Sequence, residues 1–290
     1  MMSKKKWVSY FIVAMVASVF FIYFLFPSDA VRKYIVFKLS SAMPDYTVTI
    51  EKIKPVFPPG IKAVNLSVYY HNNNLFDVEQ VRIIPGITSF FGQKAIFFFD
   101  SKAYGGIVKG QLVFAKDMPF SLMKVKLDLS DIRIGDIKAL KEQSYYQILG
   151  TLNGNVEYCI NEKNLVSGKA SFVLSDCQLD IKNLFVKLKP FQFKQIKGKM
   201  KIDNNICNIE QCTIKGDQAN CNIKGEIIIA KPFPYSMLNI YGNINPNPEF
   251  IVDLKKSLPL VSVLLTKKSG KNGYPFKVEG TFDNPDFLLK

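Results

Sequence analysis

The 290-residue sequence contains a single histidine and none of the short motifs that identify a catalytic reaction. It has no G-x-S-x-G elbow, no G-x-x-x-x-G-K-[ST] loop and no H-E-x-x-H pair, which argues against serine hydrolases of that type, P-loop nucleotide binding and zinc peptidases. The histidine, His71, opens the polar stretch 71–74 and is typical of a solvated turn. Three carboxylates lie close to one another in the sequence, at Asp128, Asp131 and Asp136. A strand pattern gives way to a helix there, so these residues suit capping better than acid–base catalysis. The sequence therefore predicts a protein without enzymatic activity.

Cysteines are few and carry no metal-binding spacing. There are five, with no C-x-x-C pair, so at least one thiol is unpaired and no zinc site or cofactor is expected. A three-residue loop after the strand around Cys212 would pair Ile209 with Ile223, whereas a two-residue loop would place Cys212 opposite Cys221. Because register normally follows the hydrophobic face, we predict the Ile209–Ile223 pairing, with Cys207 and Cys221 as small apolar residues. A Cys212–Cys221 disulfide is the less favoured alternative.

Acidic residues are absent from the first 26 positions, which include the uncharged run 7–26. A helix of that length would span about 30 Å, the hydrocarbon thickness of a bilayer. Three lysines precede it at 4–6, which predicts a cytoplasmic N-terminus. We therefore expect a cytoplasmic tail at 1–6, a transmembrane helix at 7–26 and a periplasmic β-rich domain at 27–290. The run is longer than a signal-peptide core, although small residues at Ser28 and Ala30 leave cleavage as an alternative.

Acidic residues are also outnumbered overall, by 24 to 38 basic residues, for a formal net charge of +14. A positive field favours anionic partners such as lipid headgroups, acidic proteins or nucleic acid. The lysines are scattered and many alternate with apolar residues, as on solvated strand faces. No module that interleaves basic and aromatic residues is visible, so nucleic acid is not an expected partner.

Most of the remaining chain has the period-two pattern of half-buried strands. A helical stripe at Val31, Ile35 and Leu39 comes first, and strands follow from Tyr46. A turn at 204–205 predicts a hairpin in which Cys207 faces Ile202 and Ile209 faces Met200. Six strands open with glycine, which predicts bends: these are Gly110, Gly154, Gly168, Gly198, Gly225 and Gly280. The expected fold is mainly β: a transmembrane helix, then a long curved antiparallel sheet shaped as a groove, with a few short helices.

Four stretches resemble a known family. They are Phe26–Ala30, Tyr46–Glu51, Phe57–Ile61 and Val278–Pro285, and they resemble the GspN type of type II secretion system protein N. The last stretch is also similar to AsmA-like proteins. The resemblance implies an inner-membrane protein with one span and a periplasmic β-rich domain attached to the secretion apparatus. For AsmA-like relatives it implies a hydrophobic β-groove that handles lipids. The matching residues are structural turns, so they carry over no catalytic role.

Two functions follow as expectations. The first is a non-enzymatic, inner-membrane-anchored periplasmic component of a type II secretion system that docks on other machine components through its sheet. The alternative is an AsmA-like lipid-binding or lipid-transfer module, with phospholipid in the groove and lysines at its rim. The aromatic run Phe97, Phe98 and Phe99 supplies the candidate lipid contacts, because it is apolar on both faces of its predicted strand.

Overall fold

The computed structural model describes residues 4–70, 73–116, 122–141, 146–160, 166–181, 190–230, 233–257 and 273–289. His71 therefore lies outside the described residues. The described α-helices are α1 (Lys4–Phe24), α2 (Ser28–Ala42), α3 (Lys138–Lys141) and α4 (Pro248–Ser257). Three short 3-10 helices cover Ile87–Phe90, Ile134–Asp136 and Phe233–Tyr235.

The described strands form one 14-stranded antiparallel sheet in which the spatial order of strands equals their order in the chain. This confirms the mainly β, antiparallel part of the predicted fold. The strands are β1 (Tyr46–Val56), β2 (Gly60–Tyr70), β3 (Asn73–Pro85), β4 (Lys94–Ala103), β5 (Gly106–Ala115), β6 (Leu122–Arg133), β7 (Tyr146–Ile160), β8 (Val166–Ile181), β9 (Phe191–Asp203), β10 (Ile206–Gly216), β11 (Ala219–Ile228), β12 (Met237–Pro246), β13 (Tyr274–Thr281) and β14 (Pro285–Leu289).

The predicted transmembrane helix at 7–26 is wrong. Among the residues that the structure describes, no helix has both the length and the apolar character that crossing a membrane requires. The helix does not coincide with the uncharged run: α1 starts at Lys4, so lysines of the predicted tail form its first turn, and it ends at Phe24. The predicted localisation, a single-pass inner-membrane protein with a cytoplasmic N-terminus and a periplasmic domain, is overturned by the same finding.

Helix α2 carries the apolar stripe that the sequence predicted and covers the first strands. Its Val31, Ile35 and Leu39 pack against a buried cluster formed by Val48, Ile50, Ile53, Ala63 and Val68 of β1 and β2. The helix starts at Ser28 without a side-chain cap, so neither Ser28 nor Asp29 caps it. Each of the five clustered side chains is at most 8% exposed, so the cluster under α2 is a buried core.

Bulges keep one face of the sheet apolar where the sequence pattern changes parity. Asp131 and Asp176 have φ values of 56° and 51°, the left-handed conformation that Asp tolerates, and the strand pairing shifts by one residue beside each of them. Each extra residue shifts the alternation by one position. Leu129 and Ile132, for example, flank Asp131 and pair with Gly154 and Leu152 of β7, which lie on one face.

The strand registers define an apolar face and a polar face. Across β6 to β10, one aligned row on the apolar face holds Leu127, Val156, Ala170, Met200 and Ile209. The neighbouring row on the polar face holds Lys126, Glu157, Lys169, Lys201 and Asn208. The apolar face and the polar face comprise all residues on these two sides of the sheet.

The hairpin register predicted around 204–205 is confirmed, since Cys207 faces Ile202 and Ile209 faces Met200. The next register is wrong. Ile209 faces Gly225, and the strand is irregular between Ile209 and Cys212, so that Cys212 faces Ile223. The extra residue preserves the apolar face in a way that loop length alone did not predict. The two-residue alternative is wrong as well, because Cys221 faces Ile214 and not Cys212. The disulfide between them is not formed, since all five cysteines are free thiols.

Candidate functional site

The aromatic run on β4 is divided between the two faces. Phe97 pairs with Leu112 and Phe99 pairs with Gly110 on the apolar face, while Phe98 pairs with Gln111 on the polar face. Phe98 is 49% exposed. Phe97 makes an edge-to-face contact with Phe114, with ring centroids 5.9 Å apart. Any ligand on the apolar face can therefore meet Phe97 and Phe99, but Phe98 points away from it.

On the apolar face, several glycines lie beneath aromatic rings of neighbouring strands. Phe172 pairs with both Gly154 and Gly198, Phe99 pairs with Gly110, and Phe276 pairs with Gly242. A Cβ atom at Gly110 would come within 2.8 Å of the Phe99 ring, and one at Gly242 within 2.6 Å of the Phe276 ring.

These glycines therefore make room for aromatic rings that lie flat on the sheet, a role that the sequence analysis missed. The signal that could have found it is an aromatic residue in register with a glycine on the next strand.

The apolar face has no second described sheet against it, because every described strand belongs to the one sheet. Helix α2 packs on β1, and Phe250 of α4 contacts Phe191 at a centroid distance of 5.8 Å. Most apolar side chains between β4 and β10 are half-buried. With no second described sheet against it and most of its apolar side chains half-buried, the sheet is more open than a filled two-layer domain.

Four of the five thiols belong to the apolar face. Burial raises the pKa of Cys177, Cys207 and Cys212, and it raises the pKa of Cys221 to about 11, with a smaller contribution from the neighbouring Cys212. A thiol that stays protonated is a poor nucleophile and a poor metal ligand. Within the described residues, no cluster of three or more histidine, cysteine or acidic side chains could hold a metal ion.

The polar face carries three adjoining cavities over β6 to β10, of about 600, 440 and 460 Å³. In the second, Glu157 binds Lys126 at 2.9 Å and Lys169 at 3.5 Å. The hydrogen bond from Lys126 is the main cause of the lowered pKa of Glu157. The first cavity contains Lys197, Lys199 and Lys215 but no carboxylate. The lipid-binding expectation placed the concave side on the apolar face, so these polar depressions are a new feature.

A fourth cavity, of about 360 Å³, contains Asp77. Its carboxylate accepts hydrogen bonds from Ser67 at 2.5 Å and Asn74 at 2.9 Å, and it binds Lys138 at 2.9 Å. Its backbone N–H donates to Tyr104 Oη at 2.7 Å. Burial acts to raise the pKa of Asp77, but the three side-chain partners outweigh it and the pKa is lowered. These bonds join β2, β3, α3 and the β4–β5 turn, which is a structural role.

The three carboxylates weighed in the sequence do not form one site. Asp136 binds Arg133 at 2.9 Å and Lys141 at 3.3 Å. Asp131 exchanges hydrogen bonds with the side chain of Asn153, and Asp128 lies exposed on the polar face. The predicted helix cap is not formed, since the 3-10 helix that contains Asp136 has no side-chain cap.

No protein-family model matches the chain, and neither the curated proteins nor the solved structures give a match. The resemblance to the GspN type and to AsmA-like proteins therefore stays a prediction from four short stretches of sequence.

Proposed function

We propose that this protein is a non-enzymatic lipid-binding or lipid-transfer module that holds acyl chains against the apolar face of its sheet. The observation that carries the proposal is the open apolar face itself. One 14-stranded sheet presents it, no second described sheet lies against it, and most of its apolar side chains between β4 and β10 are only half-buried. An apolar surface of this extent is favourable only when something covers it.

Acyl chains suit this face better than a peptide does. The backbone N–H and C=O groups of its strands are used in the ladder to neighbouring strands, so the face offers few hydrogen bonds to a polar ligand. Buried polar groups of a peptide would stay unsatisfied there, which costs free energy. Acyl chains have no such groups, and they gain about 0.8 kcal/mol for each CH₂ that is buried.

The dimensions are adequate. β8 has 16 residues, so it is about 53 Å long at 3.3 Å per residue. One leaflet of a bilayer is about 15 Å thick in its hydrocarbon part, half of the full core. A strand such as β8 is therefore several times longer than one acyl chain, and the face has room for more than one. The formal net charge of +14 adds attraction for lipids with anionic headgroups.

Neighbouring residues of β4 provide the test. Phe97→Glu places a carboxylate on the apolar face, and Phe98→Glu places the same charge one residue away on the polar face. Native mass spectrometry and lipid extraction of the purified full-length chain should find phospholipid bound to the unchanged protein. We expect Phe97→Glu to lower the lipid content several-fold and Phe98→Glu to leave it unchanged, because only the first desolvates a charge against acyl chains.

Circular dichroism and thermal unfolding of both variants check that the sheet has formed. A lipid-free unchanged protein would contradict the proposal, and so would an equal loss of lipid in two folded variants.

Docking on other components of a type II secretion system is a second candidate. The observation in its favour is that, among the described strands, β1 and β14 each have a neighbour on one side only, so both edges of the sheet can accept a strand from a partner. A photocrosslinking residue at Asp286 of β14 should then capture a secretion protein in cells, and the same residue at Asn239 within the sheet should not. Equal crosslinking at both positions would contradict edge docking.

A further inference from the structure

The first cavity on the polar face lies over β7 to β10 and has a volume of about 600 Å³. Three lysines project into it from two neighbouring strands. Lys197 and Lys199 lie two residues apart on β9, and Lys215 of β10 pairs with Gln195, two residues before Lys197. The Cα atoms of Lys197 and Lys199 are about 6.6 Å apart along the strand, and Lys215 is displaced from Lys197 by about 6.6 Å along the strands and about 5 Å across them.

Neutral side chains surround the three lysines. Lys197 pairs with Thr213 and Lys199 pairs with Gln211, and Gln195 lies opposite Lys215. Amide and hydroxyl groups of this kind can donate hydrogen bonds to an anion without adding charge. Asp131 lies at the rim, where it bonds the side chain of Asn153, and Lys199 also borders the adjoining cavity, whose lining includes Glu157 and Glu210.

In the adjoining second cavity, by contrast, a carboxylate of the protein neutralises the lysines. There, Glu157 binds both Lys126 and Lys169, so most of the positive charge is balanced within the protein. In the described part of the chain, no carboxylate comes within ion-pair distance of Lys197, Lys199 or Lys215. Three like charges that converge in a depression repel one another, and the depression concentrates their field.

We propose that this depression binds a ligand with two or three phosphate groups. Phosphate oxygens accept charge-assisted hydrogen bonds from ammonium groups, and the three lysines carry more positive charge than a single monovalent anion can balance. A lipid headgroup and a free phosphorylated compound share this chemistry. The site lies on the face opposite the apolar face, so it does not depend on acyl-chain binding.

The direct probe is tripolyphosphate, titrated into the full-length protein by calorimetry at low and at physiological salt. Saturable binding to one site is expected, with an affinity that falls as salt rises. The triple variant Lys197→Gln, Lys199→Gln, Lys215→Gln should weaken binding at least about tenfold, because it removes the three charge-assisted contacts and keeps side-chain length.

The matched control carries the same change in charge elsewhere. It is the triple variant Lys52→Gln, Lys54→Gln, Lys102→Gln, made at exposed lysines of β1 and β4. It should change the affinity by less than about twofold, since exposed distant charges are screened. An equal loss in both triple variants would show a diffuse effect of net charge and would overturn the site. Absence of saturable tripolyphosphate binding would overturn it as well.

A second arm identifies the source of the phosphate. Vesicles of phosphatidylcholine with phosphatidic acid are compared with vesicles of phosphatidylcholine alone. Binding to the anionic vesicles that tripolyphosphate displaces, and that the Lys197/Lys199/Lys215 variant loses, assigns a lipid headgroup. Tripolyphosphate binding without that vesicle binding assigns a soluble phosphorylated ligand. Phe97→Glu should keep its tripolyphosphate affinity, which separates a failure of this site from a failure of lipid binding on the apolar face.

Discussion

The two faces of this sheet share the same strands and the same hydrogen-bond ladder, yet they are built for opposite surroundings. The apolar row from Leu127 to Ile209 and the polar row from Lys126 to Asn208 are one residue apart on every strand. In a filled sandwich the polar row would meet water and the apolar row would be sealed by a second sheet. Here the apolar face is only half-buried over much of its length. The difference supports the proposal that this face is an interaction surface as well as a core.

The faces also differ in how neighbouring strands fit together. On the apolar face, Phe172 lies between Gly154 and Gly198, so shape decides the contact. On the polar face, contacts are ion pairs such as Lys126–Glu157, which are partly exposed and adjustable. Substitutions should therefore have much larger effects on the apolar face than on the polar face.

The largest effect on stability is expected when an isoleucine side chain is truncated to alanine on the apolar face, compared with the same truncation on the polar face. Ile53 is 1% exposed in the cluster under α2, whereas Ile228 on the polar face is 48% exposed. Ile53→Ala should lower the free energy of unfolding by about 2–5 kcal/mol, since it leaves a cavity. Ile228→Ala should change it by less than about 0.5 kcal/mol. Chemical denaturation of both variants measures the difference, and similar losses in the two would show that the faces are equally packed.

An intermediate effect is expected at Gly198. A Cβ atom there would collide with the ring of Phe172. Gly198→Ala should therefore destabilise the protein by about 1–3 kcal/mol, as overpacking does. Denaturant unfolding of this variant, compared with the unchanged protein, checks it.

The control is a double-mutant cycle with Phe172→Leu. This substitution replaces the ring that blocks the new methyl group with a smaller aliphatic side chain. The combined variant should lose less stability than the sum of the single variants, because the collision is shared. Strict additivity would show that Gly198 is required for its backbone and not for the ring above it.

Much of the sheet could be predicted because its determinants are local. Alternation identifies strands wherever one face is apolar, and Asn204-Asn205 sets its hairpin register because both residues adopt the positive φ of a tight turn, 48° and 66°. The stripe at Val31, Ile35 and Leu39 likewise predicts α2, which the structure confirms.

Most of the features that the sequence did not predict correctly depend on how strands pair with one another. The irregularity between Ile209 and Cys212 changes the pairing of β10 with β11, and the two consecutive polar residues that mark it, Glu210 and Gln211, were not taken into account by the loop-length argument. The predicted membrane span rested on the length of an uncharged run, and the described helices do not support it. The lysine site at 197, 199 and 215 was missed since its members become neighbours only when β9 pairs with β10. Scattered lysines in a sequence do not reveal which of them lack a carboxylate.

The smallest expected effect is a difference in alkylation rate between cysteines on the two faces, measured without disturbing the fold. Burial on the apolar face raises the pKa of Cys221 to about 11, so about 0.1% of it is thiolate at pH 8. Cys159 lies on the polar face, in register with Lys124. Brief alkylation of the folded protein at pH 8 should therefore label Cys159 first, and Cys159→Ser should remove the fast reaction. Unfolding in denaturant should make all five thiols reactive. Mass spectrometry of peptides reads each site, and rapid labelling of Cys221 in the folded protein would mean that the apolar face is exposed to water.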